Sequence, residues 1–305
     1  FKQKTAYEIM PSLVGSEMCI RDRYFYSNSR KKQREESWKR NVENGLWIWW
    51  AEDGKKTEEG NYKTGQKHGI WISYNSRGRK IEESQWKNGE LYGKSTLWDN
   101  NGNKSILKSF KEDEKDGLWV WWSVSGRKIK EGNFKLGEKN RKWTYYHPNG
   151  KKKRVENYVQ GKKNGKLLMW YENGQKWSEI TYKNGKLDEL WTQWNEYGQK
   201  ETETTYKDGE IRLAIKWYAN GEKHSEETYK DGKEDGKWTY WYDNGKKKYG
   251  WKYKNGEKDG LETYWYANGQ KASEGTHNNG ELILQKCWDE DGNECLCSDL
   301  GRGCK

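Results

Sequence analysis

The chain has 305 residues, 34% of them charged and 31% hydrophobic, and a net charge of +11. Only 39 residues are Leu, Ile, Val or Phe, which excludes the aliphatic core of an ordinary globule, and no apolar run approaches the ~18 residues a membrane-crossing helix needs. Such a composition usually marks disorder, but 21 Trp, 21 Tyr and only 2 Pro oppose that reading: a core must be built from aromatic rings, each burying ~150–250 Å².

Residues 1–23 stand apart from the rest of the chain. The apolar stretch Ile9-Met10-Pro11-Ser12-Leu13-Val14-Gly15 is broken by Pro11 and closely trailed by Glu17, which speaks against the apolar region of an export signal. The segment "SLVGSEMCIRDR" resembles the translation of a sequencing adapter, and "KQKTAYEI" resembles its outer library primer in the same frame. We expect residues 1–23 to be non-native, the native start and any address to lie upstream, and the chain to be a fragment.

A repeat begins at Tyr24. Glycine recurs at positions 54, 78, 102, 126, 150, 174, 198, 221, 245, 269 and 292, a spacing of 24 residues with two steps of 23. Four residues before each glycine stands an aromatic: Trp50, Tyr74, Trp98, Trp122, Tyr146, Trp170, Trp194, Trp217, Trp241, Trp265 and Trp288. Eight residues after stands a second aromatic column: Tyr62, Trp86, Phe110, Phe134, Tyr158, Tyr182, Tyr206, Tyr229 and Tyr253, then His277. Two residues after comes an unbroken lysine column: Lys56, Lys80, Lys104, Lys128, Lys152, Lys176, Lys200, Lys223, Lys247 and Lys271. Glutamate is common three residues beyond each lysine, and a second glycine turn such as Asn88-Gly89 comes after the second aromatic column.

Asn-Gly and Asp-Gly between aromatic or β-branched runs signal β-hairpins with type I′ turns, while a glycine every dozen residues would break a helix. Single hairpins are marginal in water, so stacking must bury the aromatic columns. The expected fold is all-β: an elongated single-sheet solenoid of about eleven 24-residue antiparallel hairpins over residues 24–286. A Cys-rich capping hairpin and tail should occupy 287–305. Both 23-residue steps lose a residue between the second turn and the next aromatic strand, where a connection can absorb the loss.

Trp238, Tyr240, Trp241, Asn244, Gly245, Lys247, Tyr253, Asn255 and Gly256 carry a pattern that resembles the MORN repeat, specifically the bacterial variant of YwqK-like antitoxins. The resemblance covers Tyr24 to Asp291. It implies a non-enzymatic scaffold that binds a macromolecule, a toxin protein above all, by masking it with an extended sheet.

The columns supply the candidate sites. His68, His147, His224 and His277 occupy different columns, and no nucleophile constellation or phosphate loop is visible, so we expect no enzyme, cofactor or metal. The lysine column fits either a ribbon for anionic lipid or envelope polymer, or a solvated face on which lysine pairs with glutamate and covers rings with its stem. We favour the second; the interleaved glutamates also speak against nucleic acid. The aromatic columns fit a packing ladder better than a sugar- or choline-binding module. Cys287, Cys295, Cys297 and Cys304 lack standard zinc spacing. Cys287 and Cys295 flank the last turn and are the expected disulfide, which would place the protein outside the cytosol. Asp289, Asp291 and Asn293 faintly suggest a calcium loop but coincide with that same turn.

Overall fold

The computed structural model describes residues 19–298 and 301–305. Among the described residues there are 29 strands and no helix, and every strand pairing is antiparallel, as at Gly45–Trp50 with Lys56–Lys63. The chain divides into two compact units, one ending at Gly150 and one spanning Lys151–Lys305. The first holds successive hairpins such as Lys80–Lys87 with Glu90–Trp98 and Lys128–Lys135 with Glu138–Tyr146. The second repeats the plan, from Lys176–Lys183 with Lys186–Trp194 to Lys271–Asn278 with Glu281–Trp288.

Each repeat has two different turns. At the second glycine, Asn88 (φ 52°) and Gly89 (φ 84°) form the expected two-residue type I′ turn, with Lys87 opposite Glu90. The first turn differs from expectation. The Ala51 N–H donates to the Lys55 carbonyl at 2.8 Å and the Gly54 N–H to the Ala51 carbonyl at 2.9 Å, with only Gly54 left-handed at φ 88°. That is a longer loop closed by a glycine bulge, because Trp50 pairs with Lys56 and leaves five residues to accommodate.

The strand after the second turn carries a bulge. In a full-length repeat Asn133 faces Asn140, but Gly132 faces Trp143, a shift of two residues. A left-handed residue marks this point: Gly69, Gly93, Gly117, Gly236 and Gly260, or Arg141 and Glu189 where glycine is absent. In the short repeats the shift is a single residue, between Ile211 and Leu213 and between Leu282 and Leu284, and no left-handed residue is present there. The residue lost in the 23-residue steps is thus taken from a bulge, and strand pairing survives.

The core lies on one face and centres on a column the periodicity reading did not single out, seven residues before the first-turn glycine. Trp47, Trp71, Trp119 and Trp143 stand there, and Trp71 and Trp143 are each only 2% exposed. Their indoles interleave with the second aromatic column: Trp47 and Trp71 flank Tyr62 at 5.0 Å on either side, and Trp119 and Trp143 flank Phe134 at 5.2 and 5.0 Å. In the second unit Trp238 sits between Tyr229 and Tyr253. Each indole N–H donates to the carbonyl ten residues earlier, as from Trp143 to Asn133 at 3.0 Å and from Trp238 to Thr228 at 2.9 Å. Two indoles lie flat on glycine. A Cβ on Gly60 would come within 2.2 Å of the Trp71 ring, and one on Gly132 within 2.1 Å of Trp143.

Residues 1–18 of the segment expected to be non-native lie outside the described residues. Cys19–Arg23 begin the strand Cys19–Phe25, paired with Lys32–Lys39. Backbone pairing at a sheet edge needs no particular side chains. The C-terminal end differs from expectation. The cap begins inside the strand Glu281–Trp288. The expected Cys287–Cys295 disulfide is not formed. The bonds are Cys287–Cys297 and Cys295–Cys304, with Cα separations of 5.2 and 5.6 Å. Cys287 and Cys295 do face each other across the last turn. The tail, however, turns back through the left-handed Gly301 and Gly303 and bridges Cys297 to Cys304, offering each cysteine a second partner. Gln285 donates to the Gly301 carbonyl at 2.7 Å and pins that tail to the last strand.

Candidate functional site

The bulge beside the first turn, where Trp49 pairs with Glu58 but Trp50 with Lys56, breaks the alternation and puts the lysine column with the first aromatic column on the face opposite the core indoles. There it forms a repeating triad. The ammonium pairs with the glutamate three residues on: Lys56 with Glu59 at 2.6 Å, Lys128 with Glu131 at 2.7 Å, Lys176 with Glu179 at 2.7 Å, Lys223 with Glu226 at 2.7 Å and Lys271 with Glu274 at 2.6 Å. Lys32 with Glu35, Lys80 with Glu83 and Lys200 with Glu203 obey the same rule. The same ammonium lies over the ring of the first aromatic column in the next repeat: Lys80 over Trp98 at 5.3 Å, Lys176 over Trp194 at 5.1 Å, Lys200 over Trp217 at 4.9 Å, Lys223 over Trp241 at 5.1 Å and Lys271 over Trp288 at 5.4 Å.

Where that aromatic is tyrosine, its hydroxyl joins the triad. Tyr74 donates to Glu59 and Tyr146 to Glu131, each at 2.5 Å. Burial, and then these bonds to carboxylates, push both phenols up to about 12. Burial alone would raise Glu59, but the hydrogen bonds from Lys56 and Tyr74 outweigh it and hold the carboxyl below its ordinary range. Glu131 behaves the same way with Lys128 and Tyr146.

Beside the triads runs a row eight residues before the first-turn glycine. Much of it is exposed and aliphatic: Ile70 and Leu118 in the first unit, Leu190, Leu261 and Leu284 in the second. Lys166, in the same row, reaches Glu179 at 2.5 Å, which places the row on the triad face.

The core face also has lysine lids that sequence reading missed. Lys67 lies 3.8 Å from the Trp71 ring, Lys139 4.5 Å from Trp143 and Lys258 4.6 Å from Trp251. Buried carboxylates join the core face in some repeats. Glu156, 2% exposed, accepts from Tyr158 at 2.9 Å and pairs with Lys163 at 3.5 Å. Glu227 accepts from Tyr229 at 3.0 Å and Tyr240 at 2.8 Å; burial and this shared carboxylate raise both phenols. Near the C-terminus, Tyr242, Tyr249, Tyr264 and Tyr266 with Lys248 and Arg302 line a depression of about 380 Å³.

The histidines do not converge on one another. His224 is wedged edge-on between Tyr218 at 4.7 Å and Tyr240 at 6.0 Å, and burial lowers its pKa. His277 meets Glu262 at 2.8 Å. Among the described residues no three His, Cys, Asp or Glu side chains are grouped to hold a metal ion. Asp289 accepts from the backbone N–H of Asp291 at 3.0 Å and Asn293 at 2.8 Å, so it braces its own turn. Stacked turns are also tied together. Asn220 and Asn244 donate to the carbonyls of Asp243 and Ala267 in the next repeat at 2.6 and 3.0 Å, and Tyr218 and Tyr242 to those of Trp241 and Trp265 at 2.8 and 2.9 Å.

Five stretches, residues 43–64, 142–160, 163–184, 234–255 and 258–279, match the family described as MORN repeat variant. They fall in both units and include Lys56, Lys152, Lys176, Lys247 and Lys271 of the lysine column, of which Lys56, Lys176 and Lys271 carry the glutamate pair. No curated protein matches the sequence. Among solved structures the chain is similar to chains in "Crystal Structure of TcdB2-TccC3-Cdc42" at 9% identity and "Crystal Structure of TcdB2-TccC3" at 10%. In each case 94% of this chain spans 18% of the other, with a TM-score of 0.20, too low for that likeness to carry weight.

Proposed function

We propose that the protein is a non-enzymatic MORN-type scaffold that docks a protein partner on the triad face. The observation that carries this reading is the neutralisation of the lysines. Seven of the ten column lysines, and Lys32 before them, are matched by a carboxylate in their own repeat, and exposed aliphatics stand beside them on the same face. Within each unit, a face balanced in charge and studded with aliphatics, Ile70 and Leu118 in the first and Leu190, Leu261 and Leu284 in the second, suits a protein surface better than an anionic bilayer or polymer, which rewards uncompensated charge. The two disulfides support an oxidising compartment outside the cytosol.

The resemblance to YwqK-like antitoxins supports a toxin protein as the partner, held by steric masking. Co-expression with the product of an adjacent gene tests this. The expected result is restored growth with the natural chain and lost rescue with Ile70→Asp/Leu118→Asp. Failure with every adjacent gene removes the toxin reading.

A further inference from the structure

The triad rule has exceptions, and one of them opens a pocket. Three repeats lack glutamate three residues after the column lysine: Leu107, Val155 and Gly250 stand there instead. Leucine and valine fill the space with apolar atoms, whereas Gly250 leaves it open. Around it, Lys237, Lys247, Lys252 and Lys271 with Leu261, Thr263 and Trp265 line a depression of about 480 Å³, whose one carboxylate is Glu274. Lys271 is matched by Glu274 at 2.6 Å. Lys237, Lys247 and Lys252 have no carboxylate partner among the described residues, and the Lys247 ammonium lies 5.7 Å from the Trp265 ring.

An equivalent repeat shows what this cradle is shaped to hold. At Glu179 the carboxylate is gripped by Lys166 at 2.5 Å and by Lys176 at 2.7 Å, and bonds from Lys166 and then Lys176 lower its pKa. Lys237 and Lys247 occupy the positions of Lys166 and Lys176 three repeats further on, with Gly250 in place of Glu179. Two ammonium groups thus surround a site whose own carboxylate is missing. Trp265 forms a flat apolar wall, and Leu261, 52% exposed, stands at the rim.

We propose that this pocket binds a carboxylate side chain from an acidic segment of the protein partner, in the place Glu179 fills within its own repeat. The apolar wall and rim favour a peptide over a free small anion, because they contact the aliphatic stem and backbone beside the charge. This inference rests on the reading that the partner is a protein.

The structure supplies a clean variant. Gly250 has no left-handed φ, and a Cβ there would meet its nearest atoms at 3.5 Å or more, so Gly250→Glu restores the ordinary triad without strain. The assay is fluorescence anisotropy of labelled (Glu-Gly)3, with the (Gln-Gly)3 peptide, free acetate and inorganic phosphate as competitors. The natural chain should bind the acidic peptide, and a tenfold excess of the glutamine peptide, acetate or phosphate should not displace it. Gly250→Glu and Lys237→Gln/Lys247→Gln should each weaken binding at least tenfold, and Gly250→Ala should leave it within twofold. Equal binding by the natural chain and Gly250→Glu overturns the proposal, as does displacement by acetate or phosphate at that excess. The pocket and the toxin reading fail separately. Peptide binding without growth rescue removes the toxin, and rescue by a chain whose peptide affinity ignores Gly250→Glu removes the pocket.

Discussion

Trp143→Ala probes the aromatic ladder at its most enclosed point. The Trp143 side chain is 2% exposed, packs edge-on with Phe134 at 5.0 Å, lies 5.9 Å from Trp121, and donates to the Asn133 carbonyl at 3.0 Å. Burying ~150–250 Å² at ~25 cal/mol/Å² gives roughly 4–6 kcal/mol as an upper bound. Measured Trp→Ala truncations cost ~3–5 kcal/mol, so we expect about 4 kcal/mol here. Trp98, in the column the periodicity made most obvious, is half-buried with Lys80 over its ring, and its truncation should cost roughly 1–2 kcal/mol. Stability of stacked repeats is largely local, so the assay is native-state hydrogen exchange of Lys128–Lys135 and Glu138–Tyr146, against Lys80–Lys87 and Glu90–Trp98 for Trp98→Ala. Equal losses at the two sites would refute the claim that the core face carries the fold.

The triads, the glycines and the cap each set a further expected outcome. Raised phenol pKa values mean that stability from Tyr74 and Tyr146 is complete below pH ~10 and falls as pH rises through their folded values of about 12. Lowered Glu59 and Glu131 add stability above the ordinary carboxylate range that is lost as pH falls through it. Ultraviolet titration should show Glu59→Gln moving one phenol back toward 10, and an unchanged curve would contradict the hydrogen bond. Gly60→Ala should destabilise by ~1–3 kcal/mol through overpacking against Trp71, read by exchange in Lys56–Lys63; Gly102→Ala, which strains only its own left-handed turn (φ 91°) two repeats away, should leave those amides unchanged. Peptide mapping without reductant should recover Cys287–Cys297 and Cys295–Cys304. Reduction should speed exchange in Glu281–Trp288 by an amount consistent with about 2.5–3 kcal/mol per closed loop, and recovery of a Cys287–Cys295 peptide would contradict the cap.

Much of this architecture was legible because it repeats. The 24-residue period, the hairpins, both aromatic columns and the lysine–glutamate pairing are periodic in residue type, and the structure keeps that period. The main core column was not legible by the same test. Trp47, Trp71, Trp119 and Trp143 alternate along the chain with Ser95, Leu167, Ala214 and Glu262, so a search for invariance passes over it. The missing signal was complementarity. Gly60 and Gly132, at a position held by larger residues in most other repeats, mark where an indole from the next strand lies flat. The first turn was misjudged because the same Asn-Gly or Asp-Gly pair serves both loop lengths. The disulfide pairing depends on a tail that reverses through Gly301 and Gly303, which spacing alone does not encode. Gly250 was in plain view as a break in the glutamate column, but its meaning needed the Lys166–Glu179–Lys176 geometry beside it.

The central claim is that seven of the ten column lysines are matched from within and that the triad face meets protein. Flotation of the natural chain with phosphatidylserine vesicles, at low and at physiological salt, tests it most directly. We predict that the protein stays unbound at both, because each triad presents no net charge. Salt-sensitive flotation, weakened by reversing Lys56, Lys80 and Lys128 to glutamate, would contradict the account.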